Sequence, residues 1–133
     1  MTGPTFFVDR SLGRIRLPRL LRADGWNLVT MAEHYGEQSG QAVTDRDWLE
    51  LAGSNGWPVL AKDERIRYRP EERAAIIAFG VRAFYLTSGN LTAEQMAEAY
   101  IASRSTIWTS AAMDGPGLFA VTRTSIRQIE LAD

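Results

Sequence analysis

The stretch that decides the fold is residues 44–70, TDRDWLELAGSNGWPVLAKDERIRYRP. Thr44 suits a helix N-cap, and Trp48, Leu51 and Ala52 then share one helical face. Ser54-Asn55-Gly56 stops that helix, and 57–61 reads as a short apolar strand with Asp63 just past its end. Pro70 with Glu71 and Glu72 opens the next helix, since proline suits the first turn and acids suit the positive dipole end. Helix, strand and helix in this rhythm predict a βα architecture.

Working outward, Thr5-Phe6-Phe7-Val8 is a β-prone run that stops at Asp9, with Ser11 and Gly13 as loop residues. The spacing of Leu17, Leu20 and Leu21 predicts a helix over 16–23, ended by Asp24-Gly25, and 27–31 reads as a second strand. Residues 32–43, with Gly36, Ser39 and Gly40, read as a loop or a frayed helix. Toward the C-terminus, 81–86 is a fourth strand, and Thr92 with Gln95 makes a capping box for a helix carrying Met96 and Tyr100 and reaching toward Ile107. After the turn at 114–117, residues 118–131 read as two strand-like segments, a hairpin around Arg123 and Thr124. The order β-α-β-α-β-α-β-α-β-β predicts a mainly parallel sheet covered by helices, with the first strand at its centre.

The 133 residues suit one domain, spanning 1–133, with a core over about 5–110 and a C-terminal β extension over about 117–131. No run of 18 apolar residues exists, and the opening MTGPTFFVDR lacks the form of a secretory signal, so a soluble cytoplasmic protein with no membrane association is expected. Cysteine is absent and His34 is the single histidine, which excludes disulfide frameworks, thiolate nucleophiles and Cys- or His-rich metal sites. Net charge is −1, yet of 15 basic residues only Lys62 is not arginine. Arg10, Arg14, Arg16, Arg19 and Arg22 cluster with no acid between them, whereas Glu33, Glu37, Asp45, Asp47 and Glu50 face Arg46 alone. An arginine-biased genome explains the composition; the asymmetry also suits acids holding a cation beside arginines receiving a polyanion.

In parallel α/β sheets the site lies beyond the carboxyl ends of the strands. Asp9 follows strand one and Asp63 follows strand three, so both should project from one edge, and Asp45 and Asp47 open a helix that starts on the same side. Four aspartates supply hard oxygen ligands of the kind Mg²⁺ and Mn²⁺ take. Each also has a plainer role: Asp47 in a capping box with Thr44, Asp45 at a helix dipole, Asp9 in an Asx turn, Asp63 paired with Lys62 or Arg65. Their shared placement on one edge favours the site.

The segments FFVDRSLGR, TDRDWLELAGSNGWPVLAKDERIRYRP and VRAFYLTSGNLTAEQM, in this order and at these separations, resemble the PIN-like fold of VapC-type toxins over about 100 residues, from Thr5 to Tyr100. The resemblance implies a three-layer α/β/α fold and a metal-dependent ribonuclease, the toxin of a type II toxin–antitoxin system, held inactive by an antitoxin encoded beside it. It places the family's first acid at Asp9, its helix-opening acid at Asp45 with Asp47 close behind, and its post-strand acid at Asp63. The family's threonine two residues before that acid is Ala61 here, and its fourth acid has no clear match; Glu33, Glu37, Ser88 and Asn90 are the candidates. The implied chemistry is in-line phosphodiester hydrolysis with Mg²⁺ or Mn²⁺.

Arg10, Lys62, Arg65, Arg67 and Arg69 flank the acids and could hold an RNA backbone; the alternating arginines equally suit a solvated edge or pairing with Glu71 and Glu72. Trp48 and Trp57 lie near the acids, but core packing suits them better than base stacking, and His34 and Tyr35 read as ordinary loop residues. A homodimer is compatible with the sequence. Two other readings compete. A non-catalytic PIN-like module would bind RNA or a partner without cutting. A phospho-receiver domain matches Asp9, Asp63 and Thr87, but it needs an acidic pair where Asp9-Arg10 stands and a lysine after strand five.

Overall fold

A computed structural model describes residues 3–36 and 42–131. Strand β1 (Thr5–Val8) leads through a 3-10 turn at Arg10–Leu12 into α1 (Arg16–Ala23), β2 (Asn27–Thr30) and a short α2 (Met31–Tyr35). Then come α3 (Asp45–Asn55), β3 (Val59–Lys62), a second 3-10 turn at Ile66–Tyr68, α4 (Pro70–Phe79) and β4 (Arg82–Leu86). Helices α5 (Ala93–Ala102) and α6 (Arg104–Ala111) precede β5 (Gly117–Val121) and β6 (Ile126–Ile129).

Strand alternation builds the two cores. Phe6, Val8, Leu60, Phe84, Leu86, Phe119 and Val121 face one way, where α1, α5 and α6 cover them with Leu17, Leu21, Met96, Tyr100 and Ile107. Phe7, Val59, Ala61, Ala83, Tyr85, Leu118 and Ala120 face the other way, under Trp48, Leu49 and Ala52 of α3 and Ala75 and Ile76 of α4. Buried on both faces, these strands read as continuous apolar runs, as parallel strands do. The result is the expected three-layer α/β/α arrangement.

The strand order is β2-β1-β3-β4-β5-β6, parallel except for the antiparallel β5–β6 pair. The first strand is therefore internal but not central, contrary to the sequence expectation. From β1 the chain adds β2 on one side and β3 on the other, and all later strands accumulate beyond β3. That makes the gap between β1 and β3 the switch point of the sheet. The connection leaving β1 enters α1 on one face, and the connection leaving β3 enters α4 on the opposite face. A crevice opens between such diverging connections at the carboxyl ends of their strands.

Local signals explain the boundaries. Thr92 and Gln95 exchange the two bonds of a capping box at α5, as the sequence predicts. Thr30 and Glu33 do the same at α2, so the start of the stretch read as loop or frayed helix is a capped helical turn. Glu37, Ser39 and Gly40 of that stretch lie outside the described residues. Strand β3 begins two residues later than expected because the Trp57 N–H bonds back to Ala52 O, finishing α3, whose Gly56 is left-handed at φ 67°. The helix carrying Tyr100 ends at Ser103, and Ile107 belongs to the separate α6.

Candidate active site at the carboxyl edge of the sheet

Asp9 is the first residue past β1, and its side chain is only 8% exposed. Its Oδ2 accepts the Ser11 N–H at 3.2 Å, so the Asx-turn role is real, and the Ser11 hydroxyl in turn accepts the Lys62 backbone N–H at 2.9 Å. This links the ends of β1 and β3 through one serine. The other carboxylate oxygen, Oδ1, is buried with no hydrogen-bond partner among the described residues. Burial raises the Asp9 pKa above the ordinary carboxylate value; Ser11 and the Arg10 charge work against that, and the Asp45 charge adds to it. A buried acceptor left open is costly unless something fills it.

Asp45 and Asp47 both lie in the first turn of α3, but two residues apart on a helix they do not share a face. Asp45 Oδ1 accepts the indole N–H of the buried Trp48 at 3.0 Å, and its charge is felt by Asp9 and Glu72. Asp47 is exposed; its backbone N–H reaches the Thr44 hydroxyl at 3.1 Å, while its charge raises the pKa of Tyr35, second to burial. Electrostatically, Asp45 therefore acts on Asp9 and Glu72, and Asp47 on Tyr35.

Asp63 sits past the end of β3 on the same sheet edge as Asp9. Its Oδ1 accepts the Arg65 N–H at 2.8 Å, and its Oδ2 meets Arg69 Nε at 2.9 Å. The charged partner is Arg69, where the sequence pointed to Lys62 or Arg65. This bond is the largest of the causes that raise the Arg69 pKa further above its ordinary value.

Glu72 is the acid that sequence reading assigned to a helix dipole or to pairing with the Arg65-Arg67-Arg69 run. The first turn of α4 places it over Tyr85, whose hydroxyl donates to Glu72 Oε2. Burial pushes the Glu72 pKa up to about 7; the Tyr85 bond opposes that, and the charges of Asp45 and Asp63 with a hydrogen bond to Asp45 add to it. Tyr85 feels Glu72, Asp9 and Asp45. Its position on the α3/α4 face of β4 was the available signal: a tyrosine in a buried strand needs a polar partner. Glu33, one of the fourth-acid candidates, is instead paired with Arg22 at 2.7 Å.

Beside these groups lies a cleft of about 740 Å³, lined by Asp45, Arg46, Tyr68, Arg69, Glu71 and Glu72 among others. Of the flanking basic residues, Arg65, Arg67 and Arg69 are exposed and Lys62 is half-buried. Arg10 is exposed as well, its guanidinium donating to Val43 O at 3.1 Å and Met31 Sδ at 3.2 Å. Trp48 and Trp57 both stack with Phe7; Trp48 is fully buried in the core and Trp57 is half-buried, packed against it.

In kind, these residues fit a hard divalent cation: the donors are carboxylates, and Asp9 Oδ1 is a buried acceptor with no hydrogen-bond partner among the described residues. In the present arrangement they are not drawn together, and no three acidic or imidazole groups among the described residues form a ready-made cage. Asp63 is engaged by Arg69 and Asp45 by Trp48.

Residues 4–88 match the model of a family described as "PIN like domain". A curated protein of Mycobacterium tuberculosis strain H37Rv, named "Putative ribonuclease VapC45", is 40% identical over 123 residues, which covers 92% of this chain and 89% of that protein. No solved structure matches. The match spans β1 to β4, and with them Asp9, Asp45, Asp47, Asp63 and Glu72, so it covers the whole acidic edge just described. The chain belongs to the PIN-like domain family, and within it to the VapC type.

Proposed function

We propose that this protein is a metal-dependent endoribonuclease that hydrolyses RNA phosphodiesters and serves, in the cytoplasm, as the toxin of a toxin–antitoxin pair. The observation that carries the reading is Asp9: a buried carboxylate with one oxygen lacking a hydrogen-bond partner among the described residues, at the end of the switch-point strand and on the same sheet edge as Asp63. Its 40% identity to a protein named as a ribonuclease supplies the substrate class.

Asp9, Asp45 and Asp63 would hold Mg²⁺ or Mn²⁺, with Asp47 outside them and Glu72 alongside. Such an ion supplies charge neutralisation at the phosphate and acidifies a water for in-line attack. Asp9 is pre-set for this by Ser11, which fixes one oxygen and leaves the other open. Glu72, held by Tyr85 and with its pKa pushed up to about 7 by burial and by the charges of Asp45 and Asp63, can keep or release a proton near neutral pH beside the ligands. Arg69 already grips one anion, Asp63, and is placed to exchange that carboxylate for a phosphate oxygen. An antitoxin would inhibit by covering this edge and presenting a basic side chain to the acids.

The Asp63–Arg69 ion pair also favours a second reading, a PIN-like module that binds RNA without cutting it. One assay separates them. Purified protein with single-stranded RNA and Mn²⁺ should yield internal cleavage products, and EDTA should abolish them. RNA that is retained but intact at every Mn²⁺ and Mg²⁺ concentration would leave the binding module.

A further inference from the structure

The sequence RIRYRP places one aromatic among arginines, and the fold sets it at a junction. Tyr68 ends the 3-10 turn at Ile66–Tyr68, and it is 72% exposed while its neighbour Ile66 is fully buried. An isolated exposed aromatic needs no explanation. The surroundings of Tyr68 do. It lines the acidic cleft with Asp45, Arg69 and Glu72, and it also lines a second groove of about 270 Å³ on its other side. Arg67, Arg127, Thr87 and Ser125 rim that second groove, Glu64 is its one acid, and Ile66 contributes to its apolar lining.

Both depressions belong to the carboxyl edge of the parallel strands. The first is lined by the opening turns of α3 and α4; the second by Thr87, which follows β4, and by Arg127 of β6, which pairs with β5. Asp9 and Asp63 follow β1 and β3 on the same edge without lining either. The turn that carries Tyr68 is fixed from within and behind. Its N–H bonds to Arg65 O at 2.8 Å, and Arg73 joins Arg67 O at 3.2 Å to the carbonyls of Glu130 and Leu131 at 3.1 and 3.3 Å. An exposed aromatic ring on a backbone turn fixed by hydrogen bonds, between a cleft carrying acids and a groove carrying arginines, is what an unpaired base followed by a phosphate requires.

Building on the nuclease reading above, we propose that Tyr68 is a stacking platform for one unpaired base of the RNA, and that the Arg67–Arg127 groove beyond it carries the adjoining backbone phosphate. The strand then runs along the sheet edge, its scissile phosphate at the acids and the next nucleotide across Tyr68. The enzyme accordingly acts on single-stranded segments, because a base held in a duplex cannot lie on the ring.

The test measures binding of a fluorescent single-stranded RNA by anisotropy in an Asp9→Asn background with Mg²⁺, and in parallel KM and kcat for cleavage by otherwise wild-type protein. Tyr68→Ala should weaken RNA binding and raise KM by about 5- to 100-fold with kcat little changed, whereas Tyr68→Trp should retain affinity. Arg127→Gln should weaken binding less and flatten its salt dependence. Thermal stability should be unchanged in all three variants, since Tyr68 and Arg127 are exposed. Unaltered affinity and KM in Tyr68→Ala would overturn the proposal even if the wild type cuts RNA well, and so would a loss confined to binding of a protein partner. Conversely, a Tyr68-dependent affinity in a protein that never cleaves would uphold the platform and overturn the nuclease.

Discussion

Glu72 is held between a hydroxyl that stabilises its charge and two carboxylates that oppose it, and burial tips the balance toward the proton. Unfolded, it titrates near 4.5; folded, near about 7. Between these values the folded state holds the extra proton, so stability of the metal-free protein falls as pH rises through that window. The Asp9 shift has the same sign. A shift of this size in a wholly buried group would be worth about 3 kcal/mol, and partial solvent access reduces it to about 1–2 kcal/mol. Glu72→Gln should remove most of that loss, which melting in EDTA across pH 4–8 will read directly. Equal pH slopes in wild type and variant would show that Glu72 is not the group responsible. At this scale the sequence was partly legible. Asp9, Asp45 and Asp63 announce themselves by following strands or opening a helix. Glu72 does not, because an acid in a helix's first turn is already explained by the dipole, and only its tertiary pairing with Tyr85 distinguishes it.

Helices α3 and α4 carry Asp45 and Glu72, and their separation is set by one glycine. A Cβ at Gly53 would lie 2.5 Å from Phe79 O and 2.9 Å from Phe79 Cβ. Arg46 further ties the pair, with its guanidinium 4.9 Å from the Phe79 ring. Helix propensity alone says Gly53→Ala should stabilise by about 1 kcal/mol. Overpacking against a backbone carbonyl costs about 1–3 kcal/mol and wins, because Phe79 O cannot rotate away as a side-chain tip would. Gly53→Ala should therefore lower the melting temperature and weaken Mn²⁺ binding together, measurable by thermal melts with and without the metal. A rise in melting temperature would mean that the helices separate freely and do not fix the acids. Element types were legible where chemistry is local, as in the Thr92–Gln95 box and the Pro70 start. Boundaries failed where a tertiary or capping bond intervened: Trp57 was drawn into the end of α3, and α5 stopped at Ser103 short of Ile107.

For the whole molecule, the βα rhythm gave the three layers and the common edge of Asp9 and Asp63, since those need only parallel strands and alternating faces. Strand order was not readable in the same way. Which side of β1 receives β3 depends on long-range packing of α3 and α4, and the antiparallel β6 extends the same side further, leaving β1 second from one edge. That placement is what makes the β1–β3 junction a switch-point crevice and gives Asp9 its importance. The measurement that bears most directly on the account is the melting temperature of wild type and Asp9→Asn in EDTA and in Mn²⁺, run beside an RNA cleavage assay. Asp9→Asn keeps the shape and removes a buried carboxylate whose Oδ1 has no hydrogen-bond partner among the described residues. The account predicts an EDTA melting temperature equal to or above wild type, a Mn²⁺-induced rise that is lost or much reduced, and cleavage lowered by orders of magnitude. A variant destabilised in EDTA by about 0.5–2 kcal/mol, with its Mn²⁺ response and cleavage intact, would make Asp9 an Asx-turn residue only and contradict the metal-site assignment.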